Sequence, residues 1–441
     1  MRLLYLRTQE LLKKAASSHL SDLFADPPEM VLIPIIEAAH RFKSTLVFDT
    51  RKWQPFTRVA LLTGRRDIEE VLLRGDVFSV REYLVRMTMT SGAFFLGLDE
   101  DAKGRGSAYG LEKEKGAHAL GKRVGREWGF GADAYEDAAL RRVREIVAKS
   151  ANDAVDERRH AGSLDVARDL AWVVPMNLLQ SYFGIPEIEE GGRKVPGELG
   201  RNFKAMSDHI FNFFATGPEL REPAVRAGAV VRRHLENVLR APPRDQDLVL
   251  NRLRARFQAG EDVVRTLAGM ASGAMVPTAG QFLHVANCLL KLPEGHRRTL
   301  HSACVKGDLD VVRGYAREGA RFYPYPPTVY RVCVSDHVLG AGSAHETRIS
   351  AGTLVVTAFI GASFDRDYVS DPWRFDPRRP RDESLYFGFG THQCVGAYIG
   401  EEMLTQMTRA LFALPGLRFS RREPQRGTQA FDSLPVSFNA G

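Results

Sequence analysis

Cysteine is scarce in this chain of 441 residues, which contains four cysteines in total. They are Cys288, Cys304, Cys333 and Cys394. Their spacing forms neither a disulfide framework nor a CxxC pair of the kind that binds a metal. Such sparse, unpaired cysteines are typical of a reduced compartment, so we predict a cytoplasmic protein.

Long apolar runs and basic tracts are also missing. No apolar run approaches the roughly 20 residues that a membrane-spanning helix requires, and we expect no transmembrane segment. The first twenty residues have apolar positions at helical spacing, which predicts an amphipathic helix that packs on its own domain. The net charge of +7 is dispersed along the chain. Dispersed charge argues against a nucleic-acid partner and suits an acidic partner or an anionic ligand.

The chain has no internal repeat and no low-complexity linker, so we predict one domain over residues 1–441. Helical periodicity dominates from about residue 134 to the 290s. After Pro324, β-branched runs separated by turns indicate strands. A last long helix begins just after Cys394 and ends near Leu414. The pattern therefore predicts a mainly α fold with a minor β region.

One stretch carries the clearest chemistry, FGFGTHQCVG over residues 387–396. Its three glycines, Gly388, Gly390 and Gly396, give the backbone unusual freedom immediately before the last helix. A cysteine at a helix N-terminus is favoured as a thiolate, because the helix dipole and free N–H groups stabilise the negative charge. Without this context, Cys394 would be interpreted as a buried structural cysteine.

The stretch matches the pattern FxxGxxxCxG at every fixed position and resembles the haem-binding signature of cytochrome P450 enzymes. The resemblance implies a haem b cofactor with Cys394 as the axial ligand of its iron. It also implies that Phe387, Gly388, Gly390 and Gly396 form the loop against the cofactor. His392 occupies a position where the family often has a basic residue that contacts a haem propionate.

Other segments extend the resemblance. Glu318 and Arg321 are three residues apart, which places both charges on one helix face. They resemble the ExxR pair of the family, and the DPWRF segment is similar to the one that supplies a second arginine, Arg374. The implied triad of Glu318, Arg321 and Arg374 has a structural role beneath the haem. Arg331 matches a strand arginine that contacts a propionate, although an exposed strand arginine is the simpler alternative.

The resemblance covers about residues 55–436, preceded by a helical extension over residues 1–54. It implies a single-domain haem–thiolate fold.

The segment ASGAMVPTAG departs from the family pattern. Oxygen-activating members usually have an acid followed by a threonine in the helix over the distal haem face. Here Pro277 and Thr278 take those positions, or a shift of one residue puts Pro277 at the threonine position, and residues 264–293 contain no Asp or Glu. Pro277 interrupts one backbone hydrogen bond of the helix. Either it only shapes the local bulge while Thr278 orders water, or the enzyme takes an oxidant that is already reduced.

A second departure concerns the helix that contacts the propionates. The family usually has Trp or His followed by Arg four residues later, and this chain offers Tyr109 and Lys113 at that spacing. Both side chains are hydrogen-bond donors, so we predict that they contact a propionate. A solvated start of a helix is the alternative.

The leading functional prediction is a mono-oxygenase that acts on an apolar small molecule and receives electrons from a ferredoxin or flavoprotein. The first alternative is a peroxide-using enzyme, a peroxygenase or a lipid hydroperoxide isomerase or dehydratase, which needs no reductase. The second is a non-catalytic haem sensor or carrier.

Overall fold

The computed structural model describes residues 45–49, 56–100, 107–123, 135–190, 193–194, 197–211, 218–243, 245–426 and 431–440. The predicted N-terminal extension lies outside these ranges except for residues 45–49. Those five residues form a strand, so this part of the predicted helical extension is corrected.

Helices make up most of the described chain. They are α1 (Arg65–Leu73), α2 (Arg81–Met89), α3 (Ala108–Ala119), α4 (Asp137–Asp156), α5 (Val173–Leu178), α6 (Glu198–Phe211), α7 (Pro218–Arg240), α8 (Val249–Arg254), α9 (Gly260–Leu290), α10 (Glu294–Lys306), α11 (Leu309–Phe322), α12 (Phe359–Ser363) and α13 (Ala397–Phe412).

The strands are short and form small sheets. They are β1 (Thr45–Asp49), β2 (Arg58–Leu62), β3 (Phe78–Ser79), β4 (Ser163–Asp165), β5 (Glu189–Glu190), β6 (Arg193–Lys194), β7 (Thr328–Cys333), β8 (His337–Leu339), β9 (Thr347–Ile349), β10 (Leu354–Ala358), β11 (Arg418–Phe419), β12 (Gln425–Arg426), β13 (Phe431–Ser433) and β14 (Pro435–Ser437). The largest sheet has the order β1-β2-β10-β7-β3, in which β10 is parallel to β2 and antiparallel to β7.

Helix α9 is the centre of the fold. It is buried along most of its length because its sequence is apolar on nearly all sides, and it packs against α6, α7, α11 and α13. The prediction of a mainly α fold with a minor β region is confirmed. Among the described residues, no helix is long and apolar enough to cross a membrane.

Within the region of predicted helical periodicity, residues 163–183 are more irregular than the sequence suggests. The start of this range pairs with β14 as the strand β4, and α5 is flanked by π-helical turns over Ala167–Ala171 and Leu179–Phe183. Pairing with a distant strand overrides local periodicity here, since Leu164 lies opposite Val436.

Candidate active site

A large cavity lies between α9, α3, β7 and the loop that precedes α13. Its empty space is about 1590 Å3, including the part that opens to solvent. The cavity extends from the loop that carries Cys394 to the apolar face of α9. Predicted site residues that border it are Tyr109, Lys113, Pro277, Thr278, Arg331, Phe387, Gly388, His392, Cys394 and Gly396.

The loop that carries Cys394 is held by its own backbone. The Cys394 N–H donates to the Phe387 carbonyl at 3.0 Å, and the Gln393 N–H donates to the Gly390 carbonyl at 3.1 Å. Gly388 and Gly390 have φ angles of +75° and +70°, a conformation that glycine adopts without strain. The backbone of this loop therefore fixes Cys394 just before the first turn of α13.

Gly390 differs from the other loop residues because it does not line the cavity. A Cβ on Gly390 would lie 2.9 Å from the Leu72 carbonyl oxygen of α1. Gly390 thus packs against a neighbouring helix, and its contact with the cofactor stays a prediction.

The sulfur of Cys394 lies deep in the protein, and its exposed surface faces the cavity. Burial raises the pKa of the Cys394 thiol, while the Gly396 N–H and the nearby Lys122, Lys113 and Arg381 act in the opposite direction. A bound metal cation favours the thiolate outright. The site thus offers a sulfur ligand in surroundings rich in positive charge.

Basic side chains gather at another part of the cavity wall. Tyr109 and Lys113, one turn apart on α3, both donate a hydrogen bond to the Thr391 carbonyl. The Tyr109 ring lies 4.5 Å from the ring of His392. The predicted pair of Tyr109 and Lys113 is buried rather than part of a solvated helix start. Arg331 is also buried, so the alternative of an exposed strand arginine is excluded.

No carboxylate of the described residues lines the cavity, although Glu100 acts on Lys113 and Asp99 on Arg331 from nearby. Burial, followed by repulsion from Lys122, lowers the pKa of Lys113 to about 6. Burial also lowers the pKa of Arg331. Burial, Arg331 and Lys113 together hold the pKa of His392 well below its usual range. The Nδ1 atom of His392 is buried without a hydrogen-bond partner among the described residues.

Together these bases would be stabilised by a ligand that carries carboxylates close to the Cys394 loop. Haem b has two propionates and an iron that binds a thiolate, so the residues present fit this cofactor.

The wall formed by α9 is much less polar. The cavity-lining residues of this helix include Gly269, Met270, Gly273, Ala274 and Pro277, and the polar ones are Thr278 and Gln281. The carboxamide of Gln281 is already engaged, because it donates to the Tyr323 carbonyl and accepts from the Tyr325 N–H, both at 2.8 Å. This leaves the Thr278 hydroxyl as the polar side-chain group that α9 offers to a ligand.

The Glu318–Arg321 pair is buried in α11, as the sequence predicted. Arg321 donates to both carboxylate oxygens of Glu318, at 2.9 and 2.8 Å. It also donates to the carbonyls of Ser363 at 2.7 Å and Pro372 at 2.8 Å.

The third member of the triad is Arg379, so the prediction of Arg374 is wrong. The Arg379 Nε atom lies 3.2 Å from the Glu318 carboxylate, whereas the Arg374 residue is exposed. Arg374 contributes its backbone, since its carbonyl accepts a hydrogen bond from Arg379 at 3.1 Å. Both arginines lie in one short Pro-rich segment, so residue type alone could not separate them.

Comparison with known proteins agrees with this site. A model of the cytochrome P450 family, described as "Cytochrome P450", matches residues 295–414. A steroid C26-monooxygenase from Mycolicibacterium smegmatis is 32% identical over 301 residues, which are 65% of this chain and 69% of that protein.

The chain belongs to the cytochrome P450 superfamily.

It is thus a haem–thiolate enzyme, and the P450 cofactor is haem b. The crystal structure of CalO2 has the same fold, with a TM-score of 0.73 and 19% sequence identity over 95% of this chain and 98% of that one.

A second kind of relative is a fungal fusion enzyme. The bifunctional dioxygenase–epoxy alcohol synthase of Pyricularia oryzae is 24% identical to this P450 over 305 residues, 62% of this chain. The match spans only 26% of the fungal protein, so the chain corresponds to about a quarter of that relative.

Sequence reasoning missed several residues at this P450 site. Lys122 is buried with its ammonium 5.2 Å from the centre of the Tyr135 ring, and the Tyr135 hydroxyl donates to the Val395 carbonyl beside the cysteine at 2.8 Å. Gln281 was missed because an interior glutamine carries no pattern of its own. The burial of Lys122 could not be recognised from a single sequence either, since it depends on contacts between distant segments.

Proposed function

We propose that this P450 is a mono-oxygenase that inserts one oxygen atom from O2 into an apolar small molecule. The observation that carries the proposal is a single cavity whose wall includes Cys394, a cluster of buried bases and a largely apolar helix face. The second oxygen atom leaves as water, and this balance requires two electrons and two protons. We propose that a separate ferredoxin or flavoprotein supplies the electrons.

On the cofactor side, the residues of the cavity wall would bind and orient the haem. The Cys394 sulfur would bind the haem iron, and Lys113, Arg331 and His392 would hold the propionates. Haem b bound in this way supplies cleavage of the O–O bond and transfer of oxygen to the substrate. Glu318, Arg321 and Arg379 stabilise the segments beneath this site through buried, charge-assisted hydrogen bonds.

On the substrate side, the lining is aromatic and aliphatic. Phe94, Phe95, Phe183 and Phe211 contribute rings, and Met270 contributes a flexible thioether. Such a surface binds apolar molecules and excludes water from the reacting atoms. The steroid C26-monooxygenase relative is consistent with a hydrocarbon-rich substrate.

Proton delivery depends on Thr278, because α9 has no acid at the cavity. The Thr278 hydroxyl both donates and accepts hydrogen bonds, so we propose that it orders a water molecule that supplies protons.

The test is an isotope experiment on the haem-loaded protein with a surrogate ferredoxin, its reductase, NADH and a panel of apolar substrates. We expect the product to contain one atom of 18O when 18O2 is used, and we expect no product without the reductase. Cys394→Ala serves as the control for reactions that need no thiolate. Product that carries no label from 18O2 would contradict the proposal.

A second candidate function is a peroxide-using enzyme, either a peroxygenase or a lipid hydroperoxide isomerase or dehydratase. Two observations favour it: the described residues that line the cavity include no carboxylate, and the chain is similar to a dioxygenase–epoxy alcohol synthase. The test is anaerobic mixing of the ferric protein with a polyunsaturated fatty-acid hydroperoxide and no reductant. Catalytic loss of the conjugated diene supports this candidate, and absence of turnover excludes that substrate class.

A further inference from the structure

Helix α9 continues through Pro277 without ending. A proline has no backbone N–H, so it cannot donate to the carbonyl four residues earlier, which is that of Gly273. The pyrrolidine ring also crowds this carbonyl and tilts it away from the helix axis. The Gly273 oxygen therefore lacks the intrahelical donor that the other carbonyls of a helix interior receive.

The freed carbonyl belongs to the cavity wall. Gly273 and Pro277 are four residues apart, so they share one helix face, and both line the cavity. A Cβ built on Gly273 meets no atom within 4 Å, so there is open space beside it. Met270 and Ala274 complete this part of the wall, and neither side chain can donate a hydrogen bond.

A second proline in a helix shows why the location matters. Pro223 lies inside α7 and is exposed to solvent. The carbonyl that it leaves without a donor belongs to Glu219, which is also exposed, so bulk water can satisfy it. Gly273 is exposed as well, but it lines the cavity, so the partner of its carbonyl comes from the cavity contents, either water or a bound ligand.

We infer that the Gly273 carbonyl accepts a hydrogen bond from an O–H group of the bound ligand, so the site takes a hydrocarbon that carries a hydroxyl or hydroperoxyl group. The Thr278 hydroxyl lines the same cavity, one residue beyond Pro277, and can donate to the same ligand oxygen. The Gly273 carbonyl can accept from the O–H of an alcohol or a hydroperoxide, and the Thr278 hydroxyl can donate to its oxygen. This inference rests on the proposed function, since it specifies the substrate class of the same cavity.

The experiment compares ligands that differ only in their O–H. Binding of 1-dodecanol and of its methyl ether to the haem-loaded protein is measured by calorimetry and by the Soret band. We expect the alcohol to bind roughly three- to tenfold more tightly than the ether, as one hydrogen bond to an otherwise unmet acceptor would give. A parallel arm compares KM for dodecyl hydroperoxide and for its methyl-capped peroxide, which separates hydroperoxides from alcohols as the ligand.

The decisive variant is Pro277→Ala, which restores the N–H to Gly273. Because alanine favours a helix interior, this variant is expected to fold. We expect its preference for the alcohol to fall below about twofold while its affinity for the ether stays unchanged. Pro223→Ala, the matched control, should keep the wild-type preference.

Two results would overturn the inference. One is equal affinity of the wild type for alcohol and ether, which would mean that water occupies the acceptor. The other is a Pro277→Ala variant in which both ligands lose affinity equally, which would mean that Pro277 only shapes the wall. Neither result touches the proposed function, which fails instead if the wild type lacks the ferrous–CO band of a thiolate haem.

Discussion

The two walls of the cavity differ in how much polar structure they contain. The wall around Cys394 is rich in fixed contacts: backbone hydrogen bonds within the loop, two donors on the Thr391 carbonyl and buried bases. The wall formed by α9 offers the Thr278 hydroxyl, the Gly273 carbonyl that Pro277 leaves without its usual donor, and apolar surface. Many contacts thus contribute to retention of the cofactor, whereas the choice of oxidant and substrate depends on very few polar atoms. Mutations on the first wall should remove the cofactor or the fold, and mutations on the second should change selectivity.

The largest effect is expected for Cys394→Ala. Loss of the thiolate should abolish the red-shifted ferrous–CO band and all O2-dependent turnover, because no other side chain of the loop supplies a thiolate. Cys304→Ala is the control, since Cys304 is buried in α10 and does not line the cavity. The control should keep the band. A Cys394→Ala protein that still shows it would refute the ligand assignment.

The next largest effect is expected for Glu318→Gln. This change leaves Arg321 and Arg379 buried without their shared carboxylate, which typically costs about 3–5 kcal/mol. Arg374→Ala, at the exposed position five residues before Arg379, should change stability by less than about 0.5 kcal/mol. Urea unfolding of both variants beside the wild type measures the difference. Comparable losses in the two variants would show that Arg374, and not Arg379, completes the network.

The sequence predicted much of the fold because its long helices are strongly periodic. Helical periodicity up to the 290s corresponds to α9, which ends at Leu290, and the β-branched residues after Pro324 correspond to β7 over Thr328–Cys333. Pairing between distant segments could not be predicted in this way. Residues 163–165 look helical locally but pair with β14 near the C-terminus.

The site was predictable where local chemistry defines it. A cysteine among glycines before a helix, and an acid three residues before an arginine, can be recognised in one sequence. The third partner of Glu318 could not be recognised, since the segment contains three arginines, Arg374, Arg378 and Arg379, and only the three-dimensional path of the loop selects Arg379. The cluster of Lys113, Arg331 and His392 likewise joins residues that are far apart in the chain.

The buried bases give the haem-free protein a characteristic pH dependence. The pKa of Lys113 is lowered to about 6 from its ordinary 10.5, so between these values the unfolded chain binds more protons than the folded one. Stability should therefore rise with pH in this window, by up to about 1.4 kcal/mol per pH unit. Haem should flatten the slope, because its propionates favour the charged lysine.

Lys113→Met is the variant that tests this cause, with Lys115→Met on the same helix as the control. Thermal or urea unfolding of the haem-free proteins from pH 6 to pH 9 should show a shallower slope for Lys113→Met and the wild-type slope for Lys115→Met. An unchanged slope in Lys113→Met would assign the pH dependence to another group.

The smallest effect, and the one that bears most directly on the oxidant, is expected for Thr278→Val. The change keeps the shape of the side chain and removes its hydroxyl, so it removes one hydrogen bond of about 1 kcal/mol. With O2 and a reductase, product formed per NADH consumed should fall by about fivefold, because the water that supplies protons loses its partner. Anaerobic conversion of a hydroperoxide to an isomer needs no external proton, so its rate should change by less than about twofold.

Thr266→Val is the matched control, since Thr266 is buried in the same helix but does not line the cavity. Equal losses in both assays would mean that Thr278 only positions the ligand, and the difference between the two walls would then lie in packing and not in proton delivery.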